Sequence, residues 1–172
     1  MKRTFVFGIA VASLLLTGAQ DPAPQYDIIA VRRTIEKADY DFANHRMYRD
    51  QKAWIGKTIA FYGGYVAKPV IVPEERDYIQ VSGSSNSGEP ANVVAFLDNP
   101  LPTTKGYSDR TQTVSKGDPV RVFGVLQKCR DFVDWNGNVR YLPTMDCLLI
   151  YAGDDKQFQY PIWVSRSLKR GN

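Results

Sequence analysis

The stretch GDPVRVFGVL, Gly117–Leu126, has a near twin in GKTIAFYGGY, Gly56–Tyr65. In each, a glycine precedes an alternating apolar pair, Ile59 and Phe61 in one and Val120 and Val122 in the other. A second glycine follows, at Gly63 or Gly124. Alternation with a period of two marks a strand with one buried face. A glycine in mid-strand weakens packing unless the strand bends sharply, as small barrels require of strands that pass between sheets. The twins therefore read as two bent strands of one barrel.

Working outward, Tyr78, Gln80 and Asn92 to Phe96 continue in short runs rich in β-branched and aromatic residues, bounded by Gly, Pro and Ser. Between them, SGSSNSGEP, residues 82–90, lacks apolar periodicity and reads as a flexible loop. Asn136-Gly137 supplies a hairpin turn, because both residues tolerate positive φ, and Val139 to Tyr151 returns antiparallel. Five strands are expected. Ahead of them Ile28, Val31, Ile35, Ala38 and Phe42 recur at helical spacing, with Asp27 as N-cap, and predict one amphipathic helix. Its stripe packs on the domain or, in a second reading, on another subunit.

The chain opens MKRTFVFGIAVASLLLTGAQ, where Lys2 and Arg3 precede an apolar run that ends in small residues at Thr17, Gly18 and Ala19. This is the pattern of a secretory signal peptide cleaved after Ala19, and the run is shorter than the roughly 20 residues that cross a bilayer. Gln20 is not a lipid acceptor, so a soluble periplasmic or secreted protein is expected. Residues 1–19 read as the signal peptide, 20–53 as leader and helix, 54–153 as the barrel and 154–172 as a C-terminal extension. Of 22 basic and 18 acidic residues, cleavage removes Lys2 and Arg3, leaving a nearly neutral chain without the concentrated basic footprint of nucleic-acid binders.

The strands GKTIAFYGGYV, DYIQVSG, ANVVAFLD, GDPVRVFGVLQK and RYLPTMDCLLIY together resemble the OB fold, in particular the exported, anticodon-binding-like OB domains of Gram-negative bacteria. The resemblance implies an all-β, five-stranded Greek-key barrel preceded by one amphipathic α-helix. The family's helix between strands three and four would fall in DNPLPTTKGYSDRTQTVS, whose prolines and threonines favour an irregular loop. The resemblance further implies ligands on the face of strands two and three. Tyr78, Gln80 and Phe96 are placed near that face, with Arg76 and Lys68 at its margin. Aromatic rings exposed there stack on bases or sugars. In the plainer reading Phe96 and Tyr78 fill the barrel.

Cys129 and Cys147 are the two cysteines, and an even count in an oxidising compartment suggests a disulfide. A simple hairpin centred on Gly137 sets Cys129 opposite Thr144; a bulge near Pro143 would close the offset to Cys147, and buried free thiols are the alternative. His45, the single histidine, is expected on a helix, half buried, with little converging on it. Zinc lacks ligands. Asp134, Asn136 and Asn138 imitate the start of a calcium loop, but Val139 and Met145 stand where Gly and Glu are needed, so a turn is expected. No catalytic residue, cofactor or metal is expected.

The tail brings Phe158, Tyr160, Ile162 and Trp163 together, as an added strand and cover for the barrel or as a docking segment. These readings converge on a non-enzymatic exported binding module. Its expected partner is a protein of the cell envelope, with nucleic acid set aside because it is scarce in the periplasm. Oligosaccharide or single-stranded nucleic acid on the barrel face is the alternative, and an enzyme using His45 a third.

Overall fold

A computed structural model describes residues 26–65, 70–74, 76–101, 117–152 and 161–169. The signal-like segment, Lys68, most of the 98–115 segment, and Phe158 and Tyr160 lie outside the described residues.

Three short helices, α1 (Ile28–Lys37), α2 (Asn44–Arg49) and α3 (Gln51–Trp54), precede β1 (Thr58–Tyr65), β2 (Tyr78–Ser84), β3 (Pro90–Phe96), β4 (Pro119–Val133) and β5 (Val139–Ala152). A two-residue β6 (Trp163–Val164) follows. The sheet runs β3-β2-β1-β4-β5-β6, and a parallel pairing of Val94–Phe96 with Thr144–Asp146 closes β3 onto β5. Strands β1 to β5 thus form the closed, OB-like barrel, mostly antiparallel, with β6 added outside on β5. Closure leaves no free edge among the five, which small β-proteins otherwise have to protect.

The twin stretches are the two copies of one pairing. Phe61 faces Val122, its counterpart; Ile59 faces Gly124, and Gly63 faces Val120. Each stretch therefore sets its second glycine against the first apolar residue of the other, an approximate local two-fold. The leading glycines both need a left-handed backbone, with φ of 85° at Gly56 and 96° at Gly117, a region open to glycine at little cost. At Gly124 a side-chain carbon would sit 2.7 Å from the Asp146 carbonyl oxygen, beside a register shift in the β4–β5 ladder. Close backbone approach is thus what the mid-strand glycines provide.

The inward residues Ile59, Phe61, Ile79, Val81, Val93, Val122, Met145 and Ile150 form the main core, joined by Phe42, Met47 and Trp54 from the helical region. Phe42 meets Trp54 edge to face at 5.7 Å. The outward residues Ala60, Phe123, Leu149 and Tyr151 meet Val31 of α1 and Val164 of β6 in a second core. So α1 packs on the outside of the barrel, while Phe42 and the two short helices fill into it.

The expected single helix to Phe42 is corrected. Asp27 does cap α1, its carboxylate accepting from the N–H groups of Ile29 (2.8 Å) and Ala30 (3.2 Å). But the helix ends at Lys37, because Asp39 pairs with β1, donating to Thr58 O and accepting from the Ala60 N–H. Ile28, placed on the buried stripe, is exposed. The expected 82–90 loop shrinks to residues 85–89, since Ser82–Ser84 and Pro90 complete the β2–β3 ladder. In the tail, Trp163 and Val164 are buried against β5, as cover.

The disulfide is also corrected. Cys129 lies opposite Pro143 and Cys147 opposite Gly124, and both thiols are free and buried. The register shifts on either side of Leu126 cancel, so the bulge does not bring the two cysteines together. Burial pushes the Cys129 thiol up to about 11, leaving it protonated and unreactive at neutral pH.

The β4–β5 turn uses different chemistry from the one expected. Only Gly137 takes positive φ, at 81°. Asp134 accepts from the Asn138 N–H (3.0 Å) and the Asn136 N–H (2.9 Å) and pairs with Arg140 Nε at 3.1 Å. These donors, the Asn138 N–H first, hold its carboxyl down at about 2. A depressed carboxyl contributes stability that is present above its unfolded value, about 4, and lost as pH falls toward the folded one. Thermal melts are therefore expected to show a loss between about pH 4 and pH 2 that Asp134→Asn reduces, the part that remains belonging to the other depressed carboxyls, Glu74 and Asp98.

Candidate functional site

The face expected to hold ligand exists, but the chain itself covers it. On β2 and β3, Tyr78, Gln80, Asn92, Val94 and Phe96 point away from the barrel interior, opposite in parity to Ile79, Val81, Val93 and Ala95. Residues 70–72 lie across them. The Val70 N–H donates to Gln80 Oε1 (2.9 Å), Tyr78 Oη donates to Val70 O (2.6 Å), and the Ile71 N–H donates to Val133 O (2.8 Å). Val70, Val94, Phe96, Phe132 and Leu142 then form a third, smaller core with Val72 and Tyr78 against it. Gln80 and Phe96 are buried, and the side chain of Gln80 is spent on Val70 and Asn92. They build the face and do not present it. Lys68 falls outside the described residues.

What remains open is the margin of that face. Ile55, Arg76, Phe96, Gln127, Lys128, Arg130, Thr144 and Asp146 line a cleft of about 430 Å³. Three of these are cations from two parts of the chain: Arg76 just before β2, and Lys128 and Arg130 on β4. The Arg76 guanidinium lies 4.7 Å from the Phe96 ring centre and pairs with Asp146 at 3.1 Å. The Arg130 guanidinium lies 6.0 Å from Phe96 and 5.4 Å from Phe132, and pairs with Glu74. The cation–π contacts and the ion pairs together hold the two guanidinium groups in place. Asp146 also accepts from Gln127 Nε2 at 2.9 Å. The hydrogen bond from Arg130 lowers the Glu74 carboxyl below its usual range, so it is ionised at neutral pH.

Beyond the barrel the β4–β5 hairpin ends in an exposed aromatic tip. Trp135 in the turn is 66% exposed, and Tyr141 on β5 is 46% exposed and lies 5.7 Å from Tyr48. Trp135 follows Arg130 by five positions, two residues past the end of β4 at Val133. Lys128, Arg130 and Trp135 were not singled out in the sequence; the signal was the alternation Lys128, Arg130, Phe132, basic and aromatic on one strand face.

The His45 side chain is 51% exposed, and Nε2 sits 3.6 Å from Glu89, which Arg46 also contacts. Ser87 Oγ reaches Glu89 at 3.4 Å. The carboxylate thus stands between serine and histidine, whereas in a nucleophilic triad the histidine must stand between the other two to take the proton. Among the described residues no group of three or more His, Cys, Asp or Glu side chains is placed to hold a metal ion, and no helix is long and apolar enough to cross a membrane.

No family model matches the chain, and no curated protein does. Among solved structures, a mitochondrial single-stranded DNA binding protein from S. cerevisiae, Rim1, is similar at 17% identity, covering 56% of this chain and 94% of its own, with a TM-score of 0.32. The expectation that sets nucleic acid aside is corrected on charge: it rested on the whole-chain balance, whereas Arg76, Lys128 and Arg130 line one cleft.

Proposed function

We propose that the chain is a non-catalytic OB-like binding module that takes a single-stranded polyanion, with an oligonucleotide as first candidate, in the Arg76–Lys128–Arg130 cleft. The observation that carries the reading is the convergence of those three cations beside Phe96, with the exposed Trp135 five positions beyond Arg130 on the same hairpin. Phosphates on guanidinium and ammonium groups give position and affinity, and an exposed indole gives a base a face on which to stack. The two arginines are already ion-paired. Such exposed pairs contribute about 1 kcal/mol or less, so a ligand phosphate that makes two contacts per guanidinium replaces them at small cost.

Three phosphate contacts predict weak, salt-dependent binding, with a slope of about −2 for log affinity against log salt on a single strand. Fluorescence anisotropy of a labelled oligothymidylate at several salt concentrations tests this. A slope near zero, or affinity for neutral oligosaccharides alone, overturns the polyanion reading. Export belongs to the same proposal, supported by the charged and apolar pattern of residues 1–19. An intact mass beginning at Gln20 in protein from the cell exterior or envelope supports it, and full-length protein in the cytoplasm contradicts it.

A further inference from the structure

Two features of the covering segment remain without a role in that reading. Glu74, two residues beyond Val72, reaches across to Arg130 with Oε1, while its Oε2 is buried with no hydrogen-bond partner among the described residues. Buried polar atoms are nearly always paired, because leaving one unpaired forfeits its hydration. And among the described residues the segment that carries Glu74 is held to the barrel by one backbone bond to Val133, two bonds to the side chains of Gln80 and Tyr78 and the packing of Val70 and Val72 in the third core, short of a full strand ladder.

We infer that residues 70–74 act as an internal competitor for the cleft, with the Glu74 carboxylate standing where an anionic group of the ligand binds Arg130. The inference rests on the polyanion reading. Glu74 satisfies the guanidinium through one oxygen and leaves the other unpaired, whereas a phosphodiester offers two oxygens to the same fork. Entry of the phosphate then frees Glu74, returns its unpaired oxygen to water, and loosens the hold on Val70–Val72. Arg76, at 4.7 Å over the same Phe96 ring, is the second cation that the incoming group meets. A strand that has to displace this carboxylate must bring its own negative charge, so the device selects polyanions over neutral chains. The Arg130 contact depends directly on the charge of Glu74, and Arg76 feels that charge as well; the bonds at Val70, Ile71 and Tyr78 join neutral groups and respond only through the segment that carries them.

The test compares Glu74→Gln with Asp131→Asn. Asp131 neighbours Arg130 on β4 but faces the other side of the strand, so its loss removes the same charge without touching the cleft. Amide exchange of the 70–72 segment and anisotropy with oligothymidylate are measured on the full chain. Glu74→Gln is expected to speed exchange at Val70 and Ile71 several-fold in the free protein and to tighten oligonucleotide binding about 3- to 10-fold, with Asp131→Asn changing affinity less than 2-fold. In the wild type, saturating oligonucleotide speeds the same two amides. Equal affinities in the two variants, or amides that the ligand leaves unchanged, overturn the competitor while the polyanion reading stands. Absence of oligonucleotide binding in every protein defeats that reading and the competitor with it.

Discussion

Gly83→Val leaves little or no folded protein. Gly63 and Gly83 face each other across the β1–β2 ladder. A side-chain carbon on Gly83 would fall onto the Tyr62 carbonyl oxygen and the Gly63 Cα, both backbone atoms that no rotamer change can move aside. The seam has to open, and with it the bend that carries β1 from β2 toward β4. Overpacking of side chains costs about 1–3 kcal/mol, and a backbone collision inside a closed barrel exceeds the upper end of that range, a large share of a domain's total stability. Gly56→Ala is the contrast: nothing lies within 4 Å of its added carbon, and only the positive φ resists. It is expected to cost about 1 kcal/mol. Urea denaturation of both variants separates them. A Gly83→Val protein with the midpoint of the wild type would mean that β1 and β2 do not approach as described.

The second large effect concerns binding. Replacing Lys128 and Arg130 together by glutamine removes two of the three cations from the cleft and leaves shorter, uncharged polar side chains. Charge-assisted hydrogen bonds contribute about 1.5 kcal/mol each or somewhat more, so the double variant is expected to lose affinity for oligothymidylate by about 100-fold. Its salt slope should fall from about −2 to about −0.7, the value for one remaining contact. The change in slope is what distinguishes loss of phosphate contacts from a general loosening of the hairpin, which would weaken binding and leave the slope alone. Arg130 also covers Phe96 and Phe132, so circular dichroism and a thermal melt accompany the measurement.

The barrel was legible because its signals are local. Alternation in the twin stretches, the glycines at Gly63 and Gly124, the Asp27 cap and the Gly137 turn each depend on a few neighbouring residues. What period and propensity do not carry is the identity of the partner on each face. Phe96, Tyr78 and Gln80 lie on the outer face, as expected of the fold, yet whether that face meets solvent is decided by residues 70–72, whose sequence VIV is equally at home in a strand or a cover. The end of α1 was misplaced for the same reason: Phe42 keeps the helical spacing, but the pairing of Asp39 with β1 overrides it. The cysteines failed on register. Bulges beside Leu126 shift the ladder and shift it back, and a sequence count cannot show that the two shifts cancel. The cations of the cleft were visible as an alternation with Phe132, but only the closure of β3 onto β5 sets Arg76, Asp146 and Arg130 around one hollow.

The most direct measurement is an amide chemical-shift map of the isotopically labelled chain, recorded as oligothymidylate is added at low salt. Shifts concentrated at Arg76, residues 127–130 and residues 144–146, with Trp135 moving and α1 silent, are the predicted result. Shifts confined to α1 and the β6 side, or a spectrum that does not move at saturating concentrations, would contradict the assignment of this cleft as a polyanion site.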